Sequence, residues 1–339
     1  MLDMFHSDAF AVVPLTDAIN KIPFAPGRIG ALGLFSESGV ATTSVAIEER
    51  GGVLALVAPT PRGGPGITLD KTRRTLRSLA VPHFEINDNM MAEEVQGVRA
   101  WGSETEVEML MSKVADRGAI ASQSLEVTQE HARIGAIKGI VTYADATTLN
   151  LFTEFGVAAE TEIAFDLSAA SPASGVLRKK CAGVFRQLCG ILDGLPLSGI
   201  YALCGDAFFD DLIAHTEVRA TYLNTQAAAE LRAPYVQGGQ SYGSFTFGGI
   251  TWENYRGAVG ATTFVHTDKC HLFPIGVPGL FRTYYAPADY IETVNTIGRR
   301  LYTKQYDMPN GKGVHLDTQM NALNICTRPK CLIQGKRGA

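Results

Sequence analysis

The residue pattern specifies an α+β chain: an N-terminal arm, an extended β-hairpin loop, a domain built on one long helix, and a second domain of mixed elements. Three observations carry that reading. Strand-like alternation begins at Thr43 with no body of its own to pack on. Helical spacing then persists for about 30 residues after Ser103, long for a compact domain. Beyond both, the small-residue run from Ser168 to Gly175 separates them from a segment in which helical and strand periods alternate.

Residues 1–42 read as an arm, because Pro14, Pro23, Pro26, Gly27, Gly30 and Gly33 interrupt any long helix. Residues 43–91 read as the extended loop. Val45 and Ile47 share one strand face, Leu54 and Leu56 another, and Leu79 and Val81 a third, by the period of two. A two-stranded ribbon alone in water is marginal, so a loop of this length needs a surface to lie on. The cations Lys71, Arg73, Arg74 and Arg77 argue against that surface being its own core, since unpaired charges are rarely buried. The expected surface is another copy of the chain, with Leu54, Leu56, Arg62, Arg73, Arg74 and Arg77 as candidate inter-subunit contacts. An ordinary surface hairpin is the plainer alternative.

The long helix is expected to start at a capping box, Ser103 with Glu106, followed by Val107, Leu110, Met111 and Val114 at helical spacing. A hairpin comes next, around the polar turn from Ala144 to Thr147, its second strand running through T-T-L-N-L-F-T-E-F-G-V. After the linker, Val176 to Leu192 reads as an amphipathic helix, S-G-I-Y-A-L-C-G as a short buried strand, and Asp206 to His215 as a helix capped by Asp206. Residues 242–257 return to strand alternation. A helical turn or two is expected in A-P-A-D-Y-I-E-T-V-N-T-I-G, and an extended stretch from Val314 to Gln334, broken at Pro329.

Bulk properties bound the function. Of the 339 residues, 46% are hydrophobic and 19% charged, which is globular, and the length allows two or three structural units. A formal charge of -4 argues against a protein that coats nucleic acid. Asp3 and Asp8 stand where a secretory leader would carry positive charge, and no run of about 18 apolar residues suggests a membrane span. The six cysteines include no C-x-x-C pair, which favours reduced, mostly buried thiols over disulfides or zinc.

Signatures of chemistry are weak. Gly239-Gln240-Ser241-Tyr242-Gly243 matches the G-x-S-x-G nucleophile elbow, with His266, His271 or His315 as base and Asp268 or Asp289 as orienter. That elbow needs a strand before the serine and a helix after it, whereas Pro234 interrupts the upstream side and S-F-T-F reads as strand downstream. His266, Cys270 and His271 invite a metal hypothesis, but they flank a turn-like triplet. Gly63 to Gly66 lacks the G-K-[ST] of a phosphate cradle, and neither Gly30 to Gly33 nor Gly276 to Gly279 completes a dinucleotide fingerprint. The adjacent acids Glu48-Glu49, Glu93-Glu94 and Asp210-Asp211 read as solvated charge, and the aromatics Phe281, Tyr284, Tyr285 and Tyr290 as packing. No enzyme, cofactor or metal site is expected.

Three blocks carry a family likeness: I-N-D-N-M-M-A-E-E-V-Q-G-V-R-A-W-G, L-E-V-T-Q-E-H-A-R-I-G-A-I-K-G-I-V, and G-V-P-G-L-F-R-T-Y-Y-A-P-A-D-Y-I-E-T-V-N-T-I-G. In these and in element order the chain resembles the major capsid protein E family of tailed bacteriophages, the lambda-type major head proteins with the Hong Kong 97-like fold. The resemblance implies a peripheral domain with a spine helix, residues 92–174 and 286–339, and an axial domain, residues 175–285. It implies self-assembly into pentamers and hexamers of an icosahedral head enclosing double-stranded DNA. A separate scaffolding protein, a portal and a decoration protein are the partners it suggests. Localisation would be the virion, after assembly in the host cytoplasm. A non-viral encapsulating shell shares the same logic and differs in cargo.

Overall fold

A computed structural model describes residues 27–50, 74–95, 106–169, 173–223, 243–259 and 262–338. The chain divides into two units: the described residues within 38–118 and 284–323 form the first, and those within 27–37, 119–283 and 324–338 the second. The second opens with a single helical turn, α1 (Arg28–Ala31).

The first unit holds a short helix α2 (Ala92–Val95) and most of a sheet of strand order β1 (Phe35–Gly39), β14 (Phe281–Tyr285), β16 (Gly313–Cys326) and β15 (Tyr302–Asp307), with β4 (His83–Met91) also on β16; residues 35–37, 281–283 and 324–326 of these strands belong to the second unit. β16 is antiparallel to both β15 and β4, Thr318 standing opposite Thr303 on one side and Ile86 on the other. Flanked on both sides, β16 is buried almost throughout, which is why its sequence lacks the alternation of a half-exposed strand. The ribbon is a separate two-stranded sheet of β2 (Ser44–Arg50) and β3 (Arg74–Ala80).

The long helix α3 (Glu106–Lys138) runs 33 residues, roughly 50 Å at about 1.5 Å per residue. Its residues through Gly118 belong to the first unit and the remainder to the second. No helix among the described residues is long and apolar enough to cross a membrane.

The second unit is organised on a six-stranded sheet in the order β7 (Ile163–Ala164), β17 (Ile333–Lys336), β13 (Lys269–Ile275), β8 (Gly199–Cys204), β10 (Ile250–Asn254) and β9 (Ser244–Phe247). A small antiparallel pair, β11 (Ala258–Val259) with β12 (Thr262–Thr263), stands apart from it. The helix α5 (Val176–Leu192) buries Leu177, Cys181, Val184, Leu188 and Leu192, steps of three and four that define one face. That face joins a core with Trp252, Phe165 and Phe208, whose rings lie 5.6 and 5.9 Å from the indole. Trp252 Nε1 donates to the Phe247 carbonyl at 3.1 Å, so the largest buried side chain is also satisfied. All six cysteines are free; five are buried and Cys189 is exposed.

Two local expectations are corrected. The expected second hairpin strand ends after β6 (Thr148–Asn150), which pairs with β5 (Ile140–Thr142), and Leu151–Phe155 is a helix, α4. Asn150 Oδ1 accepts from Phe152 N and Thr153 N, and Gly156 closes the turn at φ +62°, so local capping prevails over the alternation of L-N-L-F. The helix α6 (Asp206–Ala214) is preceded at its cap by Gly205, not by Asp206. A Cβ at Gly205 would lie 2.1 Å from the His266 carbonyl, so close backbone approach reserves the position for glycine. The helical turn expected within 286–298 is present as the 3₁₀ helix Ile291–Thr293.

Candidate assembly surface

The ribbon's register places Val45 opposite Leu79 and Ile47 opposite Arg77. The two apolar sets read from sequence as separate faces are therefore one face. At its foot this face is closed, with Val45 and Leu79 buried, and Val81 N extends the ladder to the Thr43 carbonyl at 2.9 Å. Further out, Ile47 and Arg77 are half-buried, and on the opposite face Leu76 is 70% exposed beside Ser78 and Ala80. Leu54, Leu56, Arg62 and Arg73 lie outside the described residues. Arg74 opens β3 opposite Arg50.

Arg117 ties the strand after the ribbon to the long helix. Its guanidinium donates to Asp88 Oδ1 at 2.9 Å, to the Asn89 carbonyl and to Glu94 Oε2, joining β4 and α2 to α3. Above the sheet, His83 Nδ1 lies 2.7 Å from Asn321 Oδ1 and its Nε2 3.1 Å from Glu85 Oε2. On β16, burial and then the charge of Glu85 raise the Asp317 carboxyl above its ordinary range.

The connection from β14 to β15 is held by its own polar groups. Thr293 Oγ1 donates to the Ala288 carbonyl at 2.6 Å and Thr296 Oγ1 to the Thr293 carbonyl at 2.7 Å. Lys304 bridges both Glu292 oxygens at 2.7 and 2.9 Å, and Asn321 Nδ2 reaches the Pro287 carbonyl at 2.8 Å. Gly298 N donates to the Val40 carbonyl at 2.9 Å, tying the segment to the chain just ahead of the ribbon.

In the second unit, buried carboxylates secure residues 28–30. Arg28 grips Glu253 through Nε at 2.6 Å and Nη2 at 2.8 Å, and Tyr201 donates its hydroxyl to the same carboxylate. The hydrogen bond to Glu253 drives the Arg28 guanidinium upward, and burial followed by that bond raises the Tyr201 phenol. Glu130, on the inner side of α3, accepts from Ile29 N at 2.8 Å, Gly30 N at 3.3 Å and Tyr255 OH at 3.2 Å. Burial still raises its carboxyl above the ordinary value. A Cβ at Gly27 would fall 2.3 Å from the Glu130 carboxyl carbon, so glycine there lets the backbone seat on the acid. Both acids escaped the reading from sequence. A signal existed for Glu130, which stands four and seven residues before Ile134 and Ile137 and so belongs to the helix's apolar stripe.

Among the described residues nothing comparable gathers around the catalytic candidates. Ser241 is outside the described residues, and downstream of Gly243 the chain enters strand β9, where an elbow requires a helix. His266 Nδ1 accepts from Asp268 N at 3.3 Å within one turn. Burial, helped by Lys138 and Lys269, lowers His271 to about 3, and His315 lies against Tyr306 with centroids 4.9 Å apart. Asp289 engages Gln319 through its backbone N–H at 3.0 Å. Cys270 and His271 are consecutive on β13 and face opposite sides. Among the described residues no group of three or more His, Cys, Asp or Glu is placed to hold a metal ion. Phe281 packs on Phe35 and Phe273 at 5.1 and 5.6 Å, and Tyr290 OH donates to the Asp317 carbonyl at 3.2 Å, both structural roles.

Comparison with known proteins points in the same direction. The family model for phage major capsid protein E matches residues 11–337. The major capsid protein of Pseudomonas phage KPP10 is 26% identical over 344 residues, covering 96% of this chain and 97% of the relative. That of Salmonella phage Felix O1 is 24% identical over 373 residues, covering 100% and 99%. Among solved structures, a prophage protein of E. coli CFT073 described as a candidate capsid protein superposes with a TM-score of 0.60 at 11% identity, covering 94% of this chain and 96% of that one. The likeness shows a shared fold of mixed helix and sheet.

Proposed function

Because the chain belongs to the phage major capsid protein E family and is a structural protein of a phage shell, we propose how its parts divide the work of assembly. Residues 1–42 are an arm reaching a neighbour and residues 43–91 an extended loop laid on one. Residues 92–174 with 286–339 form the peripheral domain, and residues 175–285 the axial domain around the five-fold and six-fold centres. Leu54, Leu56, Arg62, Arg73, Arg74 and Arg77 are its inter-subunit contacts. Copies close into an icosahedral head in the host cytoplasm and enclose double-stranded DNA without reading its sequence. A separate scaffolding protein, a portal and a decoration protein complete the assembly, and the chain itself catalyses no reaction.

One observation supports the loop's role above the others. Among the described residues the ribbon strands pair with each other alone, closed at the foot and exposing Leu76 further out. Such a ribbon gains stability when a second surface covers it. Individually weak contacts repeated around a closed shell allow errors to be corrected, yet make the finished particle hard to dismantle.

The test is to replace residues 48–76 with an Asn-Gly turn, keeping Val45 and Leu79 at the foot. The shortened chain should remain soluble and folded but form no closed shells by negative-stain microscopy; normal shells would refute the loop's role. Ser241→Ala should assemble as the parent does. Loss of a measurable esterase activity in that variant would favour the hydrolase reading instead.

A further inference from the structure

We propose that the turn carrying Ile291, Val294 and Ile297 is a contact surface for a second copy of this chain, an inference that rests on the shell reading. The three side chains are 90%, 64% and 72% exposed, the densest group of uncovered large apolar residues among those described. Ile291 opens the 3₁₀ turn Ile291–Thr293, and Val294 and Ile297 follow it in the connection that leads to β15. Thr293, between Ile291 and Val294, and Gly298, directly after Ile297, are buried, so the segment has an inner side and an outer one.

Rigidity separates this turn from an idle loop. Thr293 and Thr296 close it through hydrogen bonds of 2.6 and 2.7 Å, and Arg299 N donates to Tyr302 OH at 2.7 Å. Gly298 lies so near the Tyr285 carbonyl that a Cβ would sit 2.0 Å from its oxygen. The outer apolar side chains are thus presented on a frame with little left to order on binding, which lowers the entropy cost of contact. Glu292, Asn295 and Thr296 lie among them and supply a polar rim.

Area selects the partner. A patch of a few hundred Å² is well below the roughly 800 Å² per partner of a stable pairwise complex. A separate protein held by this turn alone would dissociate. In a shell every copy presents the same turn, and a weak contact gains through repetition. The turn is also hydrogen-bonded to Val40, four residues before the ribbon begins, which sets it beside the segment proposed to reach a neighbour.

The experiment compares the parent chain with the variant Ile291→Ser, Val294→Ser and Ile297→Ser, expressed identically and separated on density gradients. The variant should keep the parent's circular dichroism spectrum and lose at least tenfold in closed particles. Particle yield equal to the parent's would overturn the proposal. Failure of the parent itself to form particles when co-expressed with the scaffolding protein would sink the shell reading beneath it, a distinguishable result. Should the triple variant unfold, photocrosslinking from p-benzoylphenylalanine at position 291 in assembled particles decides. Adducts of two copies of the chain support the contact, and their absence, or adducts solely with another protein, overturns it.

Discussion

Glu130 offers the sharpest test of how residues 28–30 are held in the second unit. Substitution by alanine removes the acceptor for Ile29 N, Gly30 N and Tyr255 OH, at 2.8, 3.3 and 3.2 Å. Ile29 is fully buried and Tyr255 4% exposed, so water does not readily replace the lost partner. Each stranded donor costs about 1–3 kcal/mol. Against this stands relief of the carboxylate's own desolvation, the largest influence on its titration. Counting the Ile29 amide in full and the two longer contacts in part, the net loss is about 2–4 kcal/mol. For a domain of this size that is a fall in Tm on the order of 10 °C. Differential scanning calorimetry of the unassembled chain measures it, and limited proteolysis at residues 27–37 should accelerate in parallel. A Tm within about 1 °C of the parent would mean that Glu130 does not anchor the segment.

The same acid predicts a pH dependence. Its pKa is raised above the ordinary 4.5 by burial, which outweighs the opposing hydrogen bonds from Ile29, Gly30 and Tyr255 and the charge of Arg133. The favourable contribution of its protonated form is therefore complete below 4.5 and is lost as pH rises through the shifted value. Glu130→Gln lacks that loss, so the parent should lose stability relative to the variant as pH rises from acid to neutral; a difference constant across urea titrations refutes the assignment. Asn150→Ala, which strands Phe152 N and Thr153 N at the start of α4, should cost about 1 kcal/mol, read as a lower urea midpoint at unchanged m value. Asn150→Asp should restore most of it, because the acceptor returns.

Legibility in the sequence tracked the range of the interaction. Val107, Leu110, Met111 and Val114 announce the long helix because neighbours along one face of a helix are three and four residues apart, within reach of a local pattern. Ser103, the expected cap, lies outside the described residues, which follow the helix from Glu106 onward. The amphipathic stretch from Val176 to Leu192 emerged with the same bounds, for the same reason. Asn150 and Gly156 also spell a cap and a terminator, and the side-chain hydrogen bonds of Asn150 prevail there over the alternation of L-N-L-F.

Local pattern alone thus determined a fold of mixed helix and sheet, the long helix, the paired strands of the ribbon and, through three sequence blocks, membership in a capsid family. Tertiary structure decided which side chains face each other: that Val45 meets Leu79, that Gly205 displaces Asp206 at a helix cap, and that Glu130 and Glu253 are buried under backbone donors and an arginine. The physical reason is distance along the chain. Periodicity and capping are settled among residues a few positions apart, whereas register, close approach and the pairing of Arg28 with Glu253 join residues tens to hundreds of positions apart, and no local spacing encodes which of many distant partners will desolvate the other.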